Sequence, residues 1–254
     1  MTVIEGLALA AAGVVAGIVS TVVGLASVVS YPALLAIGLP PLAANMTNTV
    51  ALLFTGVGAA AGSRPELAGQ ASRIGRLGTI AALGGGAGAA LLLVTPPQTF
   101  VRVAPILIGA ASLALLAPSR QDRAPGPGAG PGHDTRSPWL LAGVAGVAVY
   151  IGYFGAAGGI VMLALLIAMV AEPLARVNAV KNMLGAVANA VAAVDFAVFG
   201  HVDWAAVVPL AGGFLVGGWT GPALVRRIPG RVLRIGVAVC GLAVAVKLGI
   251  SAYG

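Results

Sequence analysis

Between Glu172 and Asn189 the chain places one lysine and three asparagines inside an otherwise apolar run, E-P-L-A-R-V-N-A-V-K-N-M-L-G-A-V-A-N. Pro173 suits the first turn of a helix, and a period of 3.6 residues then gathers Asn178, Lys181, Asn182, Gly185 and Asn189 on one face. The other faces are Ala, Val, Leu and Met. An ammonium group offers three donors and a positive charge, and the asparagine amides add further donors, so this face would suit an oxyanion. An ionisable group inside a lipid-solvated helix marks a functional site by default. Two plainer readings compete. The asparagines would serve only to hydrogen-bond across a helix interface, and Lys181, roughly 12 Å into its helix at 1.5 Å per residue, would snorkel to the membrane surface.

The bulk of the chain argues for a bilayer. Of 254 residues, 59% are hydrophobic and 8% charged, against about 25% charged in soluble domains. The net charge of +7 does not indicate nucleic acid, because the basic residues sit in short clusters between apolar runs with few aromatic neighbours. They read as topology determinants. The single cysteine, Cys240, excludes an intrachain disulfide and reads as a packing residue. His133 and His201 stand apart, so neither metal nor cofactor is expected. Without paired carboxylates or a nucleophile and base, an enzyme is not expected either. The N-terminus lacks a basic segment before its apolar run and is taken as part of the mature protein.

Elements that would position the polar face follow from apolar run lengths, a spanning helix needing about 20 residues. Residues 4–37 are too long for one span and short for two, and are interrupted near Gly24-Leu25-Ala26-Ser27, so a broken helical hairpin is predicted. Helices are predicted over 42–62, 74–94 and 101–117. Residues 118–138 are a Pro/Gly-rich linker. The pattern then begins again, with a hairpin over 139–171 broken at Gly152–Gly159 and helices over 174–199, 204–225 and 232–250. Gly24 matches Gly155, Asn45 matches Asn178, and Gly84 and Gly88 match Gly213 and Gly217. The chain thus divides into a first repeat, 1–117, the linker, and a second repeat, 139–254, and duplication of this kind is a transporter trait.

Loop charge orients the copies. Arg64, Arg73 and Arg76, then Arg120, Arg123 and Arg136, then Arg226, Arg227, Arg231 and Arg234 mark three cytoplasmic loops by the positive-inside rule. For the second and third to share a side, the 139–171 block must return to the side it left. Each half is then a hairpin plus three spans, the N-terminus is outside, the linker is cytoplasmic and the copies are inverted. The expected fold is an all-α integral membrane protein of two inverted-topology repeats, each a re-entrant or broken hairpin plus three transmembrane helices. The alignment sets Asn45, Asn48 and Thr49 against Asn178, Lys181 and Asn182, two polar faces expected to line one cavity. The breaks at Ala26-Ser27 and Gly158-Gly159 would present helix N-termini to an anion. The expected binding set is Lys181, Asn178, Asn182, Asn45, Asn48, Thr49, Ser27, Gly158 and Gly159. Asp195, about 100° around the helix from Lys181, is assigned an interfacial role.

The stretches G-L-A-S-V-V-S-Y-P-A-L-L with P-P-L-A-A-N-M-T-N-T, and G-Y-F-G-A-A-G-G with P-L-A-R-V-N-A-V-K-N, resemble the TauE/SafE sulfite exporter family, also called TSUP permeases. The resemblance covers nearly all of the chain outside the linker. It implies a bacterial plasma-membrane permease for small sulfur-containing anions such as sulfite or organosulfonates, driven by the proton gradient, with the lipid bilayer as its surroundings. Many members have a run of glycines where this chain has Ala26-Ser27, so a serine hydroxyl would replace a backbone nest there. An anion channel and a non-transporting assembly subunit are the alternatives, and assembly of several copies of the chain stays open.

Overall fold

The computed structural model describes residues 2–22, 24–96, 137–155, 158–170 and 172–225, with scattered helical positions in 98–113 and 235–250. The linker, its arginines, the basic run 226–234, His133 and Cys240 lie outside the described residues, as does most of the predicted helices 101–117 and 232–250. Among the described residues all regular structure is helical: α1 (Val3–Val22), α2 (Ala26–Ala36), α3 (Pro41–Gly62), α4 (Arg64–Leu67), α5 (Ala71–Val94), α6 (Pro138–Tyr153), α7 (Gly158–Met169), α8 (Leu174–Phe199) and α9 (Trp204–Val225). α1, α3, α5, α8 and α9 are long and apolar enough to cross a membrane. Outward faces carry Leu7, Leu83, Val198 and Val208, and Trp139 and Trp204 stand exposed at helix starts, as expected where a helix meets the headgroup region.

Both predicted breaks are present. α1 and α2 are separated around Gly24 (φ 88°), and α6 and α7 around Gly155 (φ 72°), in the left-handed region where a side chain is strained. Pro41 and Pro138 occupy first-turn positions, where a missing N–H costs nothing.

Small residues let the backbones meet, the usual basis of packing where lipid removes the hydrophobic drive. Gly213 and Gly217 of α9 lie on the α1 backbone at Ala10, Gly13 and Val14, then at Val14, Gly17 and Ile18. In the other half, Gly84 and Gly88 of α5 lie on α6 at Ala145, Ala148 and Val149, then at Val149 and Tyr153. The two glycine pairs matched by the repeat alignment thus make the same kind of seat.

These contacts also fix helix directions. Positions along α1 and α9 rise together, as do those along α5 and α6, so each pair is parallel. α3 and α8 are antiparallel: Gly200, just beyond α8, packs on Met46 near the start of α3, Gly56 meets Ala186, and Arg176 at the start of α8 donates to Ala68 O beyond α3.

That last contact belongs to a polar cluster at one end of the bundle. Glu172, in the α7–α8 connection, pairs with Arg73 Nη1 at 3.2 Å and Arg176 Nη1 at 3.1 Å. Burial pushes the Glu172 carboxyl up, but hydrogen bonds from Gln70, Arg73 and Arg176 and the Arg73 charge outweigh it and hold the group below its usual value. A depressed carboxylate contributes stability above its unfolded pKa, about 4.3, and loses it as pH falls through the lower folded value. The pairs are partly exposed, so each contributes on the order of 1 kcal/mol or less. Glu172→Gln is therefore expected to lower the unfolding temperature at pH 7 by about 2–4 °C, with the gap to the parent protein closing below about pH 4. A gap unchanged at acid pH would remove the ion pairs as its cause.

Candidate functional site

A break in a membrane helix strands backbone carbonyls at its C-terminal end, and in a medium without water each must find a donor. At the end of α1 the donors come from the polar face of α8. Asn178 Nδ2 donates to Thr21 O at 2.9 Å and Asn182 Nδ2 to the same oxygen at 3.3 Å. Lys181 Nζ lies 3.3 Å from Ser20 O and 3.4 Å from Thr21 O. At the end of α6, Asn45 Nδ2 of α3 donates to Tyr153 O at 3.3 Å. Each half thus supplies an asparagine, at matched positions, to the broken helix of the other half. Lys181 is 2% exposed and turned inward, which is the opposite of snorkelling. Its two contacts are long, and an ammonium has three protons to place.

The breaks touch. A Cβ added to Gly24 would sit 2.6 Å from the Gly159 backbone, and Tyr31 of α2 meets Phe154 edge-to-face with ring centroids 6.3 Å apart. Beside this crossing lies a cavity of about 60 Å³, measured to the centre of a water-sized sphere. Lys181 and Asn182 line it on one side, and the starts of α2 and α7 reach it through Ser27 and Gly159. The remaining polar lining is Thr55 from α3 and Asn189 from α8. Both carry a buried oxygen without a hydrogen-bond partner, Thr55 Oγ1 and Asn189 Oδ1.

The electrostatics favour an anion. Two helix N-terminal ends and one ammonium converge, each with positive potential. The opposing negative end, the α1 carbonyls, is already occupied by donors from α8. Ser27 Oγ accepts from Asn48 Nδ2 at 3.1 Å, which leaves the hydroxyl proton free to point elsewhere.

The predicted set therefore divides. Lys181, Asn182, Ser27 and Gly159 come together on the cavity, and Asn178 shares the Thr21 carbonyl with two of them. Asn45, Asn48 and Thr49 are buried but are not among the lining residues, and Thr49 Oγ1 donates to Asn45 O within its own helix. Gly158 starts α7 against the Ile151 side chain, also outside the lining. The expected single cavity between two whole polar faces is not what forms, because α3 and α8 run antiparallel. Matched positions then lie at opposite ends of the pair, and only those near the crossing, Thr55 and Gly56 beside Ala186 and Asn189, face a common space. Asp195 lies near Gly86 of α5, away from the cavity.

Apolar helices of spanning length, two helices broken in mid-chain and buried polar side chains turned on the breaks define a multi-pass membrane protein of transporter type. The family model of the sulfite exporter TauE/SafE matches residues 9–248. The chain belongs to that family, whose members are membrane transporters. No curated protein and no solved structure matches it.

Proposed function

We propose that the protein is a secondary transporter, working as an exporter, for small sulfur-containing oxyanions such as sulfite or organosulfonates. One observation carries the reading: the buried Lys181 ammonium and the starts of two broken helices converge on a single cavity far from either end of α8. Lys181, Asn182, Ser27 and Gly159 hold the anion, while Asn178 and Asn45 keep the two broken ends in place. Asn48 acts through Ser27, and Thr49 ties the α3 face to itself. Inverted repeats, 1–117 and 139–254, are supported by the antiparallel course of α3 and α8 and by the matched seats of α9 on α1 and α5 on α6. Alternating exposure of the cavity then follows from rocking one half against the other.

The setting is a bacterial plasma membrane, with the N-terminus outside and the 118–138 linker in the cytoplasm. The Arg73–Glu172–Arg176 cluster supports this by bringing the 63–76 loop and the end of the second hairpin to one side. The proton gradient drives export. Purified protein in liposomes is expected to give saturable sulfite flux that rises with an imposed pH gradient. Flux that grows linearly with concentration and ignores the gradient would make it a channel, and absence of flux for sulfite, thiosulfate and sulfonates alike would overturn the oxyanion reading.

A further inference from the structure

Gly185 sits on the polar face of α8 between Asn182 and Asn189, in the middle of a 26-residue helix. Glycine there destabilises a helix relative to alanine, and most interior glycines of this protein offset that cost by close backbone contact. Gly56, which lines the same cavity, would drive a Cβ into Ala186. Gly185 has no such reason: a Cβ built on it meets nothing within 4 Å. The space it leaves opens into the cavity, of which it is a lining residue. Facing the same space from α3 is Thr55, 5% exposed, whose hydroxyl oxygen is buried without a partner. A threonine in a helix ordinarily returns its proton to the carbonyl one turn back, as Thr49 and Thr21 do here.

We propose that the absent side chain of Gly185 is part of the binding site: the ligand occupies that space, donates to or accepts from the Thr55 hydroxyl, and is limited in size by this wall. The proposal rests on the oxyanion reading above and narrows it. On the same measure one water takes about 10–15 Å³, so a cavity of about 60 Å³ has room for about four to six such groups. That admits a compact inorganic oxyanion and leaves an alkyl sulfonate with a second polar end overfilling the site. Lys181 and the two helix starts neutralise the charge, and Thr55 with Asn189 contacts the far side of the ligand. Gly185 makes no contact through a side chain of its own and sets the room for one.

The test is a binding series on the full-length protein in detergent, with sulfite, thiosulfate, methanesulfonate and taurine, for the parent and for Gly185→Ala. The parent is expected to bind sulfite and thiosulfate at least ten-fold more tightly than taurine. Gly185→Ala is expected to unfold at the same temperature or higher and to lose at least ten-fold in thiosulfate affinity, with a smaller loss for sulfite. Gly146→Ala, on α6 with equally open space and no place in the cavity lining, is expected to leave both affinities unchanged. The ligand series on the parent protein reads the size limit without any variant. If the parent binds none of the four, the oxyanion reading fails. If it binds sulfite and Gly185→Ala binds every ligand equally well, the reading stands and the wall does not.

Discussion

Lys181→Met is expected to abolish sulfite flux and to weaken sulfite binding by at least about 30-fold, the factor that corresponds to roughly 2 kcal/mol, the lower end for losing one partner of a buried charge pair. Methionine keeps the length and apolar stem of lysine and removes only the ammonium. The folded state should tolerate this. Lys181 has no carboxylate partner among the described residues, and removing an isolated buried charge is often neutral or stabilising. The Thr21 carbonyl keeps both amide donors, Asn178 and Asn182. Unfolding temperature and monodispersity in detergent should therefore match the parent while transport is lost. Lys181→Arg separates charge from shape: the charge remains, but a planar guanidinium does not fit where a compact ammonium reaches two carbonyls from 3.3 and 3.4 Å. Retained flux in Lys181→Met would take the ammonium out of the transport site and leave it a cap for α1.

Why this face was legible in the sequence, and its partners were not, has a physical cause. A lysine and three asparagines in an apolar run are costly wherever they lie, so composition alone marks them. The breaks were legible for a related reason: glycines interrupt the apolar blocks, and Gly24 and Gly155 do adopt positive φ. Carbonyls are different. Every residue has one, and nothing in the letters of Ser20, Thr21 or Tyr153 says that its oxygen is stranded at a helix end. Once the breaks are placed, however, the last residues of α1 and α6 are where donors must be sought, and that step was available from the sequence.

Thr55 was missed because a lone threonine in a membrane helix ordinarily satisfies itself. Its signal was the spacing. Thr55 follows Asn48 by seven residues, two helical turns, as Asn189 follows Asn182, so each half extends its polar face by the same interval. The expectation of one cavity between two complete polar faces went astray on a point of geometry. Inversion of the copies was inferred from loop charge, yet its consequence for depth was not followed: antiparallel counterparts meet only near their crossing.

The second large effect lies where the two breaks cross. Gly24→Ala combines two penalties, a left-handed backbone at φ 88°, costing an alanine about 1–2 kcal/mol, and a methyl 2.6 Å from the Gly159 backbone, an overpacking of about 1–3 kcal/mol. The sum, about 2–5 kcal/mol, is a large share of the 5–15 kcal/mol that holds a typical protein folded. Two further variants isolate the parts. Gly38 has φ 92° and open space around it, so Gly38→Ala carries the backbone penalty alone. Gly159 has no positive φ, but its Cβ would lie 2.6 Å from Gly24 Cα, so Gly159→Ala carries the contact alone. Unfolding free energies in detergent should rank Gly24→Ala as the most destabilised, by close to the sum of the other two. Because Gly24 and Gly159 both line the cavity, the contact variants should also weaken anion binding, and Gly38→Ala should not. If Gly24→Ala costs no more than Gly38→Ala, the backbones do not touch at the crossing, and the two helix starts are not held together there to face one anion.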